Sequence, residues 1–248
     1  MREALRTMAT VALISLLVAS LYVMAVEVWE MWVNKWAFER VYRTLEEAES
    51  QKEEEVVDED WIVRYKALAE ENTDFFGWIH IEGADIDYPV MYSPDRPGYY
   101  LKHSFWKKWS DYGTPYLDER CVLGISNNLV VYGHNMKNGT MFAQLHRFES
   151  KEFWNEHRFI QFDTLAELGI YEIFAVFHFD TNHESYWFNT HTDMGEMEIR
   201  EFIEEVSVRQ LYETGVKTDH EDQLLTLCTC DRTYRDGRFF VIAKKVET

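Results

Sequence analysis

The sequence predicts a mainly β domain of the α+β class, a β-barrel or sandwich with helical insertions, behind an N-terminal apolar helix. After residue 75, short apolar runs recur between turn residues such as Gly83, Pro89 and Pro94, a pattern typical of strands. Few long helical patterns interrupt these runs. The predicted strands are 76–81, 86–91, 116–117, 129–132, 158–163, 169–179, 224–230 and 238–244.

Three segments of this domain are predicted to be helical. Segment 61–71 carries apolar residues at the three- and four-residue spacing of a helix face. Segment 141–147 is predicted as a short helix. Segment 196–211 carries an apolar stripe that includes Phe202 and Val206. The last two helices are the insertions between the predicted strands.

Composition excludes some classes of function. The formal net charge of the 248 residues is -19, which argues against nucleic acid as a partner because phosphates need Lys and Arg. Three cysteines cannot form a disulfide framework without one left over. The single Cys-x-Cys lacks a second Cys or His pair at zinc spacing. We therefore predict no metal and no cofactor.

The N-terminal segment is predicted to anchor the protein in a membrane. Residues 7–26 contain no charged side chain, and about 20 residues of helix span one hydrocarbon thickness. Arg2 and Arg6 precede this stretch, while acidic residues follow it. The positive-inside rule then gives a cytoplasmic tail at 1–7, a single-pass signal anchor at 8–28 and an extracellular remainder. A cleaved signal peptide is the competing interpretation.

The segment that follows is predicted to link the anchor to the domain. Trp29, Trp32 and Trp36 continue the helix and suit an interfacial aromatic belt. Residues 38–60 are strongly acidic and contain no Gly or Pro, so 29–60 is predicted to be a solvated helical stalk or linker. The predicted β domain is then 61–248.

Three residues far apart in the sequence carry the groups that thiol acyl transfer requires. Cys230 ends a hydrophobic strand, and only its thiolate would attack a carbonyl, so a positive charge or base must lie nearby. His134 follows Gly133 at the end of another hydrophobic strand. Arg238 would face Cys230 across an antiparallel hairpin, where it can stabilise a thiolate or an oxyanion.

Each of these residues also has a plainer interpretation. A histidine such as His134 commonly satisfies a hydrogen bond in a core, and Arg238 could form a surface salt bridge with Asp231 or Asp236. For Cys121 and Cys228 we prefer burial as small apolar residues. Only convergence of the three groups on one pocket would favour catalysis over these alternatives.

Motifs around these residues occur in an ordered series. TLCTC precedes the arginine strand GRFFVIAKK, and VVYGHNM lies upstream. Before them, in order, come NTDFFGWIHIEGADIDYPV, YYLKHSF and GTPYLD, and YGHNMKNGTMF surrounds the histidine. From about Trp61 to the C-terminus the sequence resembles the class B sortases. Agreement of several motifs in order and spacing is more specific than TLxTC alone.

The resemblance implies a fold and a site. The fold would be an eight-stranded sortase-type β-barrel with N-terminal helices and a helical insertion between strands six and seven, where 196–211 fits. The catalytic site would be Cys230, His134 and Arg238. Substrate contacts would be made by Tyr186 and Trp187 and by Cys228, where family members commonly carry Ser.

The resemblance also implies a reaction. A membrane-anchored cysteine transpeptidase of a Gram-positive surface would cleave the C-terminal sorting signal of secreted surface proteins, a motif resembling NPxTN, through a thioacyl-enzyme. It would transfer the acyl group to an amine of a peptidoglycan precursor or a pilin lysine. Two alternatives stay open: a cell-wall thiol peptidase that uses water instead, and a non-catalytic surface-binding domain that kept the fold.

Overall fold

The protein forms a closed eight-stranded barrel preceded by two helices. A computed structural model describes residues 2–50, 60–183 and 186–246. Neighbouring strands follow the order β1-β2-β3-β4-β7-β8-β6-β5, and β5 returns to β1. The strands are β1 (Phe75–Ile81), β2 (Ile86–Met91), β3 (Tyr116–Leu117), β4 (Asn128–Tyr132), β5 (Phe159–Thr164), β6 (Ile170–Phe179), β7 (Leu224–Cys230) and β8 (Arg238–Lys245). The predicted mainly β barrel is confirmed.

Two of the eight strand pairings are parallel, and one of them involves β7. β4 pairs with β7 in parallel, with Tyr132 opposite Cys228, and β2 pairs with β3 in the same sense. β7 and β8 pair antiparallel, with Cys230 opposite Arg238. β7 therefore lies between the strand that leads to His134 and the strand that begins with Arg238.

Side-chain alternation divides β7 between two cores. Leu225 and Leu227 point into the barrel, where they join its apolar core cluster. Leu224 and Cys228 point to the outer face and pack in a second cluster. Helix α4 (Glu196–Ser207) covers this outer face, and its buried residues Ile199, Phe202 and Val206 belong to that cluster. The outer face is thus covered near α4 and exposed at Cys230, where β7 ends.

The helical insertions differ in detail from the predictions. Segment 141–147 is a 3-10 turn at Phe142–Glu149 rather than an α-helix. It stops at Ser150, whose hydroxyl accepts a hydrogen bond from Phe153 N and begins an unpredicted helix, α3 (Lys151–His157). Helix α4 ends at Ser207 instead of 211, because the Leu211 N–H donates to Val176 O of β6.

The N-terminal helix α1 (Arg2–Ser50) is continuous and has two different halves. It is the one helix, among the described residues, that is long and apolar enough to cross a membrane, with a fully exposed 18-residue window of mean hydropathy 2.3. The opposite end packs on the barrel, where Val41 and Leu45 are buried. Tyr42 Oη also donates to Asp87 O at 2.6 Å.

The second half of α1 is therefore docked and does not stand clear of the domain as a solvated stalk would. Val41 and Leu45 share a face with helix α2 (Asp60–Glu71), whose Tyr65 and Leu68 belong to the same apolar cluster. Residues 51–59 of the predicted linker lie outside the described residues. The predicted boundaries of the anchor and of the domain stay predictions.

Candidate active site

Cys230 is the exposed end of an otherwise buried strand. The six preceding residues of β7 are buried and Cys230 is not. It is the one exposed cysteine of the three, since Cys121 and Cys228 are buried. Burial raises the pKa of Cys121 to about 12 and raises the pKa of Cys228 far above its ordinary value. Cys230 is therefore the thiol available to a substrate.

Arg238 faces Cys230 directly across the hairpin. The two residues are register partners between β7 and β8, so their side chains leave the same face of the sheet. Arg238 Nη1 donates to two hairpin carbonyls, Asp236 O and Gly237 O, both at 3.0 Å. Its other guanidinium N–H groups make no hydrogen bond with the described parts of the chain. They are available as donors in the cleft that Arg238 lines.

Asp231 does not form the salt bridge with Arg238 that the plainer interpretation offered. Its carboxylate instead lies 2.7 Å from His178 Nδ1 and accepts a hydrogen bond from Thr233 N at 2.8 Å. These partners hold the pKa of Asp231 below its usual range, against the opposing effect of burial. Asp231 thus fixes the hairpin. It does not neutralise the charge of Arg238, which lies on the outer face of the sheet.

His134 arrives on the other side of Cys230 through the parallel pair. Tyr132 lies opposite Cys228, and His134 and Cys230 each follow two residues after this pair. The connection persists beyond the strand, because Gly133 N donates to Cys228 O at 3.2 Å and Thr229 Oγ1 donates to Gly133 O at 2.7 Å. The loop carrying the histidine is thereby bound to the strand carrying the thiol.

The imidazole of His134 is held in one orientation. Its Nε2 lies 2.7 Å from Leu101 O, and since a carbonyl only accepts, Nε2 carries the proton of that bond. Burial is the largest influence on this group and lowers the pKa of His134, which the bond to Leu101 O partly offsets. Neighbouring Lys102 lowers it further and Asp111 raises it.

A cleft of about 360 Å³ contains all three predicted catalytic residues. Cys230, His134 and Arg238 line it together, and Cys228 and Trp187 of the predicted substrate contacts line it as well. Tyr186 does not belong to this lining. It packs against Phe188 and stacks on His191 with 4.6 Å between ring centres, as part of the outer apolar cluster.

The cleft wall contains a charged network that the sequence reasoning missed. Buried Asp118 accepts two hydrogen bonds from the Arg120 guanidinium, at 2.8 and 2.6 Å, and one from Tyr132 Oη at 2.6 Å. Asn189 Nδ2 donates to the same Tyr132 oxygen at 2.9 Å. Burial opposes ionisation of Asp118, but Arg120 and Tyr132 outweigh it and lower the pKa of the carboxyl. The available signal was the acid and the base at the end of the GTPYLDER segment.

Behind the thiol, a chain of polar side chains supports the end of β7. Asn135 Nδ2 lies 2.7 Å from Cys230 O and 3.0 Å from His146 Nε2. His146 Nδ1 lies 2.7 Å from Glu149 Oε1. Within the described ranges, no group of three or more His, Cys, Asp or Glu residues is arranged to hold a metal ion.

Comparison with known proteins decides the family. A family model described as "Sortase domain" matches residues 79–246. The chain belongs to the sortase family. Sortase B of Listeria monocytogenes is 32% identical over 178 residues, which are 71% of this chain and 71% of that protein. The class is therefore B, and the sortases are cysteine transpeptidases that act on sorting signals.

Solved class B sortases share the fold. Sortase B of Clostridium perfringens superposes with a TM-score of 0.67 at 31% identity, and covers 73% of this chain and 99% of its own. Sortase B of Bacillus anthracis in complex with AAEK1 gives a TM-score of 0.71 at 28% identity, over 88% of this chain and 100% of its own. The recognition made from sequence motifs is confirmed.

Proposed function

We propose that this sortase is a membrane-anchored transpeptidase in which Cys230 is the nucleophile, His134 the proton carrier and Arg238 the anion stabiliser. The observation that carries the proposal is the position of the one exposed cysteine, opposite Arg238 on the neighbouring strand and in the same cleft as His134. These are the three parts of thiol acyl transfer, and all line one cleft.

The mechanism follows from this placement. The Cys230 thiolate attacks the carbonyl of the scissile bond of a sorting signal resembling NPxTN, and Arg238 donates N–H bonds to the oxyanion that develops. His134, as imidazolium, protonates the leaving amine, and a thioacyl-enzyme remains. His134, now neutral, takes a proton from the incoming amine of a peptidoglycan precursor or a pilin. The thioester preserves the energy of the broken amide for the new one.

One experiment tests the chemistry. The full-length protein in detergent micelles is incubated with a panel of NPxTx peptides, and intact-protein mass spectrometry looks for a mass gain equal to the acyl fragment. We expect the adduct on the wild type and not on Cys230→Ala, with Cys121→Ala as the matched control that retains it. An adduct of equal yield on Cys230→Ala would refute the nucleophile.

The fate of the adduct separates the candidate activities. Addition of an amine such as triglycine should convert the adduct to a peptide–triglycine product, as a transpeptidase requires. Release of the free acid alone, whatever the amine concentration, would favour the thiol peptidase. A thiol that is alkylated no faster than a buried cysteine would favour the non-catalytic binding domain.

The location is part of the same proposal. The exposed apolar half of α1 supports a single membrane pass, and Arg2 and Arg6 ahead of it support a cytoplasmic N-terminus. A membrane-impermeant maleimide applied to intact cells should label Cys230, and Cys230→Ala should abolish the labelling. Labelling only after lysis would place the domain inside the cell.

A further inference from the structure

The backbone carbonyl of Cys230 is connected to a histidine through one side-chain amide. Asn135 Nδ2 donates to Cys230 O at 2.7 Å, and the same nitrogen lies 3.0 Å from His146 Nε2. On the other side of the ring, His146 Nδ1 lies 2.7 Å from Glu149 Oε1. An ionised carboxylate only accepts, so Nδ1 carries the proton and Nε2 of the neutral ring is an acceptor. The orientation of Asn135 is thus matched to a neutral His146.

A second histidine and a second carboxylate continue this chain of side chains. The ring of His178, on β6, has its centre 6.4 Å from that of His146. His178 Nε2 lies 3.8 Å from Glu149 Oε1, and its Nδ1 lies 2.7 Å from Asp231 Oδ2. Asp231 follows Cys230 directly in the sequence. The chain therefore begins at the nucleophilic residue and ends at its neighbour.

The other neighbours of His146 do not provide a substitute for the bond to Asn135. Phe239 of β8 stacks on the imidazole with 4.4 Å between ring centres. Arg232, in the hairpin, donates from Nη2 to the backbone carbonyl of Asn135 at 3.4 Å. In the described parts of the chain, α3 contributes no hydrogen bond or ion pair to this ring. The His146 side chain is 24% exposed, so it exchanges protons with solvent.

Protonation of His146 is incompatible with the hydrogen bond that holds Cys230. An imidazolium donates from both ring nitrogens, so its Nε2–H would meet the N–H of Asn135. If the amide turns over to accept that hydrogen, the same amide oxygen faces Cys230 O. Two oxygens that only accept repel each other at hydrogen-bonding distance. The bond from Asn135 to Cys230 O is weakened or lost in both orientations of the amide.

We propose that His146 is a positioning residue for the nucleophile, acting through Asn135 and only while its ring is neutral. The inference rests on the proposed role of Cys230 in thioacylation. Histidine side chains change charge in the range of about pH 5 to 8, so acylation should lose this support as the pH falls through that range. The effect is separate from the titration of His134, because His146 passes no proton to or from the substrate.

The test is a ratio of rates from which the titration of His134 cancels. The full-length protein in micelles is given whichever NPxTx peptide forms the adduct, and acylation rates are measured between about pH 8 and about pH 5.5. In His146→Gln the side-chain oxygen accepts from Asn135 but does not titrate. The rate of this variant divided by that of the wild type should rise about fivefold as the pH falls, since a displaced nucleophile costs about tenfold or more.

Asn135→Ala gives a second measurement of the same connection. This variant lacks the bond to Cys230 O at every pH. It should therefore be about tenfold slower than the wild type at high pH and approach the wild-type rate at low pH, where the wild type has lost the bond as well. In the Asn135→Ala background, His146→Gln should have no pH-dependent effect, because the two residues act in series.

The control is a histidine outside this chain of side chains. The His183 side chain is 82% exposed, and His183→Gln should keep a constant ratio to the wild type at every pH. A constant ratio in Asn135→Ala would overturn the inference by itself, even if His146→Gln does not fold, because a purely structural role has no reason to vary with pH. That result would leave the proposed function intact. Failure of every peptide to form an adduct would refute the proposed function and this inference with it.

Discussion

The carboxamide of Asn135 donates to the backbone carbonyl of Cys230 at 2.7 Å. Its nitrogen also lies 3.0 Å from His146 Nε2. Because His146 Nδ1 faces the Glu149 carboxylate at 2.7 Å, Nδ1 carries the imidazole proton and Nε2 accepts. Both amide hydrogens of Asn135 are thus used, and its orientation is fixed. The residue after His134 therefore ties the histidine loop to the nucleophile itself.

Replacement of Asn135 should slow acylation without unfolding the enzyme. Asn135→Asp puts a carboxylate oxygen against the Cys230 carbonyl, and their repulsion should shift the thiol relative to His134. A displacement of about 1 Å in a catalytic geometry can cost about 100-fold, so we expect the adduct to form at least about tenfold more slowly. Quenched-flow mixing followed by mass spectrometry measures the rate of adduct formation.

The control for this prediction is another asparagine. Asn155 is exposed on α3, and Asn155→Asp should keep the wild-type rate. Near-UV circular dichroism of Asn135→Asp should match that of the wild type. An unchanged acylation rate in Asn135→Asp would show that the bond to Cys230 O does not position the thiol.

The three cysteines should differ sharply in reactivity. Cys121 and Cys228 are buried, and burial raises the pKa of both thiols, whereas Cys230 is exposed. The rate of alkylation depends on the fraction of thiolate and on the exposure of the sulfur. Iodoacetamide should therefore modify one thiol in the native protein and three in denaturant. Peptide mapping should place the native modification at Cys230. A second native thiol modified at the same rate would contradict the assigned burial.

Sequence reasoning reached the parts of the site that depend on local pairing. The hairpin of β7 and β8 joins Cys230 to Arg238 across seven intervening residues, and Asp236-Gly237 marks its turn. The parallel pairing of β4 with β7 is different, because it joins Tyr132 to a strand almost a hundred residues later. Nothing in the apolar pattern of either strand specifies that partner. The proximity of His134 to the Cys230 thiol was predicted only from the family motifs.

Two other features of the structure were missed because the few residues that cause them contribute little to the overall composition of their segments. The acidic character of 29–60 predicted a solvated stalk, yet Val41 and Leu45 form an apolar stripe with the spacing of one helical turn. That stripe docks α1 on the barrel. The charged wall of Asp118 and Arg120 was also present in the sequence. Its meaning depends on Tyr132 and Asn189 arriving from distant segments, which a single sequence does not show.

Removing either of the two charged side chains beside His134 should shift the acid limb of the pH profile, and the two removals should shift it in opposite directions. Lys102 lowers the pKa of His134 and Asp111 raises it. The acid limb of kcat/KM reports the first proton lost from the His134–Cys230 pair of the free enzyme. Lys102→Gln should therefore move this limb to higher pH, and Asp111→Asn should move it to lower pH.

The existing ion pair strengthens both effects. Lys102 and Asp111 are paired at 2.8 Å, so removal of one leaves the other unneutralised beside the histidine. Both shifts should shrink in concentrated salt, since they act through partly exposed charges. Shifts of the same sign in the two variants would show that these charges do not govern the titration.

Gly133 should be intolerant of even one additional methyl group. A Cβ at this position would lie 2.4 Å from Phe142 Cγ, and the Phe142 ring is fully buried in the barrel core. Either the ring or the loop must move, and the loop is bonded to Cys228 and Thr229 on β7. Gly133→Ala should cost about 1–3 kcal/mol of unfolding free energy and should also slow acylation, because His134 follows directly.

Gly195→Ala, where a Cβ would meet only Glu198 Oε2 at 3.6 Å, is the matched control. Phe142→Leu combined with Gly133→Ala should recover part of the acylation rate by making room for the methyl group. Wild-type thermal stability and wild-type acylation in Gly133→Ala would mean that the histidine loop is not held against the core as the structure has it.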